Sequence, residues 1–231
     1  MASKKKRRKV VVKQSDWVDI EPDYVPSYQR PNGAGAGYSQ YPAVMVGEET
    51  GDHIVFTYGR FNPPTIGHEA VVNKLKSIAS EEKGTPLVIT SHSQDADKNP
   101  LSPEYKISLL NKAFGDIVHP EPQHSLIDAF KLIESKGAKK ATILVGSDRE
   151  KEVHRAVKGT NGKDYNIPEI KIVVAGDRDS HYNDVTAASA TKAREAAKDG
   201  DVEKFKSLLP VALHDDALAI MSNINNVNKR G

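Results

Sequence analysis

His53-Ile54-Val55-Phe56-Thr57-Tyr58 runs straight into Gly59-Arg60-Phe61-Asn62-Pro63-Pro64-Thr65-Ile66-Gly67-His68, and the fold is decided there. The first run, β-branched and aromatic, reads as a buried strand. Gly59 to Gly67 contains two prolines and reads as a turn. Residues 68–83 then place Ala70, Val71, Leu75, Ile78 and Ala79 at helical spacing, and Gly84 closes the predicted helix.

The same alternation continues downstream. Leu87-Val88-Ile89-Thr90 is a second predicted strand after Pro86. Residues 103–114 read as a helix, with Ser102 as N-cap and Pro103 in the first turn. Asp116–His119 is a weak strand, and Ser125–Lys136 is a helix ended by Gly137. Ala141-Thr142-Ile143-Leu144-Val145 and Ile170-Lys171-Ile172-Val173-Val174 are strong strands, separated by a predicted helix over Ser147–Val157. Helices follow at about 189–199 and 201–209, the second stopped by Pro210, with one more near 215–222. Strand and helix alternate, which predicts an α/β fold: a Rossmann-like parallel sheet flanked by helices on both faces, with ligands at the carboxyl edge of the strands. The domain is expected over 51–213, with residues 214–231 forming a C-terminal helix and tail. There is no internal repeat.

Upstream the text changes. Residues 1–46 hold eight Lys or Arg against four Asp or Glu, leaving 25 against 27 for the rest. Residues 1–50 show neither a helical nor a strand period. With Pro22, Pro26, Pro31, Pro42 and the run Gly33-Ala34-Gly35-Ala36-Gly37, they read as an extended arm. Trp17, Tyr24, Tyr28, Tyr38 and Tyr41 are unusual in a purely solvated linker and suggest that the arm lies on a partner. Lys4-Lys5-Lys6-Arg7-Arg8-Lys9 has three readings: a solvated tail, electrostatic capture of nucleic acid, or a nuclear import signal. The glycine run is no phosphate loop, because it follows no strand and opens no helix.

Composition narrows the chemistry. The chain has 231 residues, 38% of them hydrophobic and 28% charged, and it contains no cysteine. That excludes disulfides, a thiolate nucleophile and cysteine-ligated metals. No apolar run approaches the ~18 residues of a membrane span, and only three valines follow the basic run before Lys13, so a soluble intracellular protein is expected.

Two segments carry the candidate site. In the first, Gly59 and Gly67 let a ligand approach the backbone, and Pro63 and Pro64 stiffen the turn. Arg60 offers a guanidinium fork to phosphate, and His68 stands at a helix start, where an imidazole can stabilise charge on a reacting phosphate. In the second, Ala188-Ser189-Ala190-Thr191-Lys192-Ala193-Arg194, Ser189 and Thr191 put hydroxyls at a helix N-terminus. Lys192 and Arg194 stand one turn in, where cations oppose the helix dipole and make sense if an anion binds. His92, His119, His124 and His181 lack metal-ligand spacing, so no metal site is expected. Asp177-Arg178-Asp179 reads as a solvated turn that could reach a nucleotide. Tyr105 and Lys106 read as helix surface or as a second-substrate face, and Phe205, Leu208 and Leu209 as core.

Together these segments resemble the nucleotidyltransferase superfamily of adenylyl- and cytidylyltransferases. Its first signature, Gly-x-Phe-x-Pro followed by His/Thr-x-Gly-His, reads here as Gly59-Arg60-Phe61-Asn62-Pro63 and Thr65-Ile66-Gly67-His68. Its second, Ile-Ser-x-Thr-x-x-Arg, reads as Ala188 to Arg194. Lys98-Asn99-Pro100-Leu101-Ser102 followed by Glu104 resembles the substrate-side loop of the nicotinamide- and nicotinate-nucleotide branch, and Gly146-Ser147-Asp148-Arg149 resembles its nucleotide-side turn. The resemblance covers about 52–213 and is nearest to small cytidylyltransferase-like proteins of tailed phages. Thr65 stands where the first histidine is usual, keeping a hydroxyl but losing an imidazole, and Ala188 replaces the usual Ile.

The resemblance implies in-line attack of an acceptor phosphate on the α-phosphorus of a nucleoside triphosphate, with pyrophosphate leaving. It implies catalytic roles for Thr65, His68 and Arg194, and nucleotide contacts from Gly59, Arg60, Phe61, Gly67, Gly146, Asp148, Ser189 and Thr191. Lys98 and Asn99 would meet the acceptor, and magnesium would arrive with the triphosphate, needing no protein cage. The expected reaction moves AMP from ATP to a phosphorylated small molecule such as nicotinamide mononucleotide. The other expectation is a binding or structural protein that keeps this fold and docks on a virion or nucleic acid through residues 1–50. The expected location is cytoplasmic, in the host if the source is viral, or on a virion; an oligomer is compatible with either reading.

Overall fold

The structure, a computed structural model, describes residues 51–147, 149–175 and 190–227. The predicted arm over 1–50, the Asp177-Arg178-Asp179 turn, His181, Asp148 and Ser189 lie outside the described residues.

The elements in chain order are β1 (His53–Gly59), α1 (Ile66–Glu81), β2 (Thr85–Thr90), α2 (Pro103–Phe114), α3 (Leu126–Ser135), β3 (Lys140–Val145), α4 (Glu150–Thr160), β4 (Glu169–Val174), α5 (Ala190–Asp199), α6 (Val202–Ser207) and α7 (Ala217–Val227). The four strands form one parallel sheet in the order β2-β1-β3-β4. Phe56 on β1 stands between Leu87 on β2 and Ile143 on β3. Ser102, Ser125 and Asp201 cap α2, α3 and α6 by accepting the backbone N–H of Tyr105, Asp128 and Lys204. Among the described residues, no helix is long and apolar enough to cross a membrane.

The sheet is covered on both faces, as continuous β-branched strands require. On one side Ile54, Phe56, Ile89, Ile143 and Val145 pack against Ala129, Phe130 and Ile133 of α3 and Val153 of α4, with Tyr165 stacked on Phe130. On the other, Val55 and Leu144 meet Leu75 and Ala79 of α1. The closing turn of α1 brings Gly84 against this core: a Cβ there would lie 2.9 Å from Val55 Cγ2 and 3.0 Å from His53 Nδ1, so only glycine fits. A third layer joins Leu101 and Leu109 to Ala193, Ala196 and Ala197 of α5, Phe205 of α6, and Ile220 and Ile224 of α7.

Two elements differ from expectation. Asp116–His119 is not a strand: Gly115–Ile117 is a 3-10 turn, and only Val118 bridges to Val88. Pro120 and Pro122 carry no N–H, so the ladder is interrupted and resumes only as an isolated bridge between Gln123 and Ser91. The helix predicted near 215–222 begins as a 3-10 turn over Val211–Asp216, and α7 runs on to Val227 because the apolar stripe Ala217-Ile220-Met221-Ile224 continues past 222.

The order of the strands places the site. From β1 the chain passes to β2 on one side, then returns to β3 on the other. The crevice of such a sheet opens where that direction reverses, beyond the carboxyl ends of β1 and β3, at Gly59 and Gly146. The opposite end is tied by Glu82, whose carboxylate accepts from Lys171 at 2.7 Å and meets Lys140 at 3.1 Å. Burial pushes the Glu82 carboxyl up, but bonds from those two lysines outweigh it and hold it below the usual range.

Candidate functional site

The loop leaving β1 is built around a buried ring. Phe61 has a positive φ of 47° and turns its side chain into the core beside Val72 and Leu110. Gly59 makes room for it: a Cβ there would stand 3.1 Å from Phe61 Cε2. The Phe61 ring also supports His68, with centroids 4.9 Å apart. The backbone N–H of Thr65 donates to His68 Nδ1 at 3.0 Å, and Thr65 Oγ1 lies 3.0 Å from the same nitrogen. An imidazole that accepts at Nδ1 carries its proton on Nε2. Desolvation pushes the His68 pKa down to about 4, so at neutral pH the ring is uncharged, with its one N–H on Nε2.

Not every amide of the α1 start is available to a ligand. Ile66 N–H donates to the carbonyl of Leu208, at the end of α6, at 3.0 Å. The α6 end is thereby fastened to the α1 start.

Asn62 joins three segments. Its side chain, in a residue only 1% exposed, pairs twice with Leu101: Nδ2 donates to the Leu101 carbonyl and Oδ1 accepts the Leu101 N–H, both at 3.1 Å. Its own carbonyl accepts from Arg194 Nη1 at 2.8 Å. Arg194 Nη2 donates to Thr191 Oγ1 at 3.2 Å. The two signature segments therefore touch. Burial, then repulsion from Arg60, lowers the pKa of the Arg194 guanidinium below its ordinary value.

Arg60, Asp97, Lys98, Thr191, Arg194, Glu195 and Lys198 line a cavity of about 360 Å³. Of the residues expected at the site, this space gathers Arg60, Lys98, Thr191 and Arg194. His68, Gly59, Gly67 and Gly146 are not among the residues that line it; Thr65 and Phe61 are buried, at 1% and 3% exposure, against the His68 ring. Asn99 is also buried; its side-chain nitrogen donates to Asp95 Oδ2, closing a loop in which Asp95 Oδ1 accepts the N–H of Asp97, Lys98 and Asn99. Gly146 begins the turn after β3, accepting Arg149 N–H at 3.0 Å. Arg149 crosses to β1: Nη1 donates to the Tyr58 carbonyl at 3.1 Å, and the guanidinium lies 5.9 Å from the Tyr58 ring centroid.

The sequence reading missed Asn62 and did not foresee the burial of Lys106. Asn62 occupies a variable position of the first signature, and nothing local announces that its amide is buried. Lys106 is not on the helix surface. It is fully buried on the same face of α2 as Pro103, Leu109 and Leu110. A cation on an apolar stripe is the signal that could have found it.

No model of a known protein family matches this chain, and no curated protein is significantly similar to it.

Proposed function

We propose that this chain is a nucleotidyltransferase that moves a nucleoside monophosphate, AMP from ATP, to a phosphorylated small-molecule acceptor such as nicotinamide mononucleotide. The observation that carries the reading is the Arg194–Asn62 bond, which sets the cation of α5 against the loop leaving β1, with Arg60 close enough to repel it. Cations held together against their mutual repulsion suit a polyanion. An oxygen of the acceptor phosphate attacks the α-phosphorus, a new P–O bond forms, and the bond to pyrophosphate breaks. His68, held neutral, offers Nε2–H to the oxyanion that develops. Arg194 and Thr191 meet the outer phosphates, and Lys98 the acceptor. Thr65 works by fixing the His68 ring. The carboxylates in the lining, Asp97 and Glu195, are oxygen donors that suit a magnesium ion arriving on the phosphates, where it would neutralise charge on the leaving group.

A panel of nucleoside triphosphates against phosphorylated acceptors, with magnesium and scored by pyrophosphate, tests this reading. His68→Ala is expected to abolish release and leave the fold intact; turnover at the wild-type rate would remove His68 from the mechanism. The basic, aromatic composition of residues 1–50 favours a docking role beside catalysis. Turnover and nucleic-acid association of the full chain, compared with a version starting at Gly51, separate the two functions. If neither form releases pyrophosphate from any triphosphate, the fold serves binding alone.

A further inference from the structure

Lys106 has no exposed surface, yet its ammonium meets no carboxylate within ion-pair distance among the described residues. Nζ donates instead to two backbone carbonyls, Ser91 at 2.6 Å and Ser93 at 3.1 Å, both in the segment that leaves β2. That segment continues through Asp95, which wraps the loop, to Asp97 and Lys98 at the cavity. Leu101, fixed by Asn62, anchors its far end. Two other charged groups act on Lys106: Glu104, from its own helix, favours the ammonium, and Arg60, from the loop after β1, opposes it. A methionine would fill such a position without the cost of burying a charge, and two carbonyl dipoles offset only part of that cost.

We propose that Lys106 is a positioning residue of the crevice: without lining the cavity itself, its ammonium pins the Ser91–Ser93 backbone from which the loop to Asp97 and Lys98 departs, and its charge adds to that of Arg60 in attracting a phosphate group of the substrate. This rests on the reading of the crevice as a polyanion site. An incoming phosphate adds to the counter-charge of Glu104, which stands outside ion-pair distance. Desolvation, the largest influence, pushes the Lys106 pKa down to about 8, and a bound anion raises it again. Binding therefore takes up a proton above that pH, and affinity falls as pH rises through it.

The test is calorimetry of magnesium-ATP binding to the full chain at pH 7 and 9, in buffers of different ionisation enthalpy. The wild type is expected to take up part of a proton at pH 9 and almost none at pH 7, and to bind more weakly at pH 9. Lys106→Met should bind about tenfold more weakly than wild type at pH 7 and show no uptake at pH 9. Lys106→Arg, permanently charged, should restore affinity at both values, again without uptake. If wild type binds ATP with no proton uptake at pH 9, or if Lys106→Met keeps the wild-type pH dependence, the role of Lys106 is overturned while the polyanion site stands. The wild-type measurement decides even if Lys106→Met does not fold. If wild type binds no ATP at either pH, the polyanion reading fails, and this inference fails with it.

Discussion

Arg194 donates from Nη1 to the carbonyl oxygen of Asn62 at 2.8 Å, although the two residues are 132 positions apart. The same guanidinium reaches Thr191 through Nη2. One planar group thus fixes the start of α5 and faces the loop leaving β1, a task for a rigid fork rather than a point charge.

Arg194→Lys keeps the charge and loses the fork. Charge-assisted hydrogen bonds contribute about 1.5–3 kcal/mol, so affinity for magnesium-ATP is expected to fall by at least about tenfold, and further for Arg194→Gln. Calorimetric titration checks the order. Wild-type affinity in Arg194→Lys would show that geometry at this position is immaterial.

Asn62→Ala removes both partners of the Leu101 peptide groups. Buried backbone groups left unpaired cost about 1–3 kcal/mol each, so a loss of about 2–6 kcal/mol of stability is expected from urea unfolding. A loss below about 1 kcal/mol would mean that water replaces the amide.

His68 is held neutral in the fold, so the unfolded chain binds its proton first. Stability from this group is complete above the ordinary imidazole value of about 6.5. It declines as pH falls from there to about 4, where the folded ring also protonates. His68→Gln keeps an acceptor for the Thr65 N–H without titrating. Its melting temperature should therefore fall less than that of wild type between pH 6.5 and pH 4. Parallel curves for the two proteins would contradict the assignment.

Gly84→Ala forces a methyl group onto Val55 at 2.9 Å. Overpacking of this kind costs about 1–3 kcal/mol. Thermal unfolding should record that loss, with magnesium-ATP affinity unchanged because the contact lies at the far end of the sheet. A variant as stable as wild type would show that the helix end yields.

What the sequence made legible follows from range. β1 and β3 announce themselves as short, continuous β-branched runs, and the helices that follow β1 and β2 through apolar residues at helical spacing. The short bridge at Val118 was over-read because Val and Ile suggest a strand before the two prolines end it. The site was legible as two separate segments, each marked by residue type. Their meeting at Asn62 was not, because that contact depends on the Leu101 peptide and the Arg194 guanidinium, both brought there by the packing of α2 and α5. Of the two readings of Lys106, helix surface fails for the opposite reason: charge suggested exposure, while the apolar face of its helix had already enclosed it.

The attachment of Leu208 to Ile66 has a bearing on how the chain matures on the ribosome. During translation every strand of the sheet has emerged once Val174 is clear of the exit tunnel, and from then on a nascent chain can fold its central layer. Its crevice still lacks the guanidinium of Arg194, and the first amide of α1 still awaits its acceptor. The Arg194–Asn62 and Ile66–Leu208 contacts therefore close only after the whole sheet has emerged.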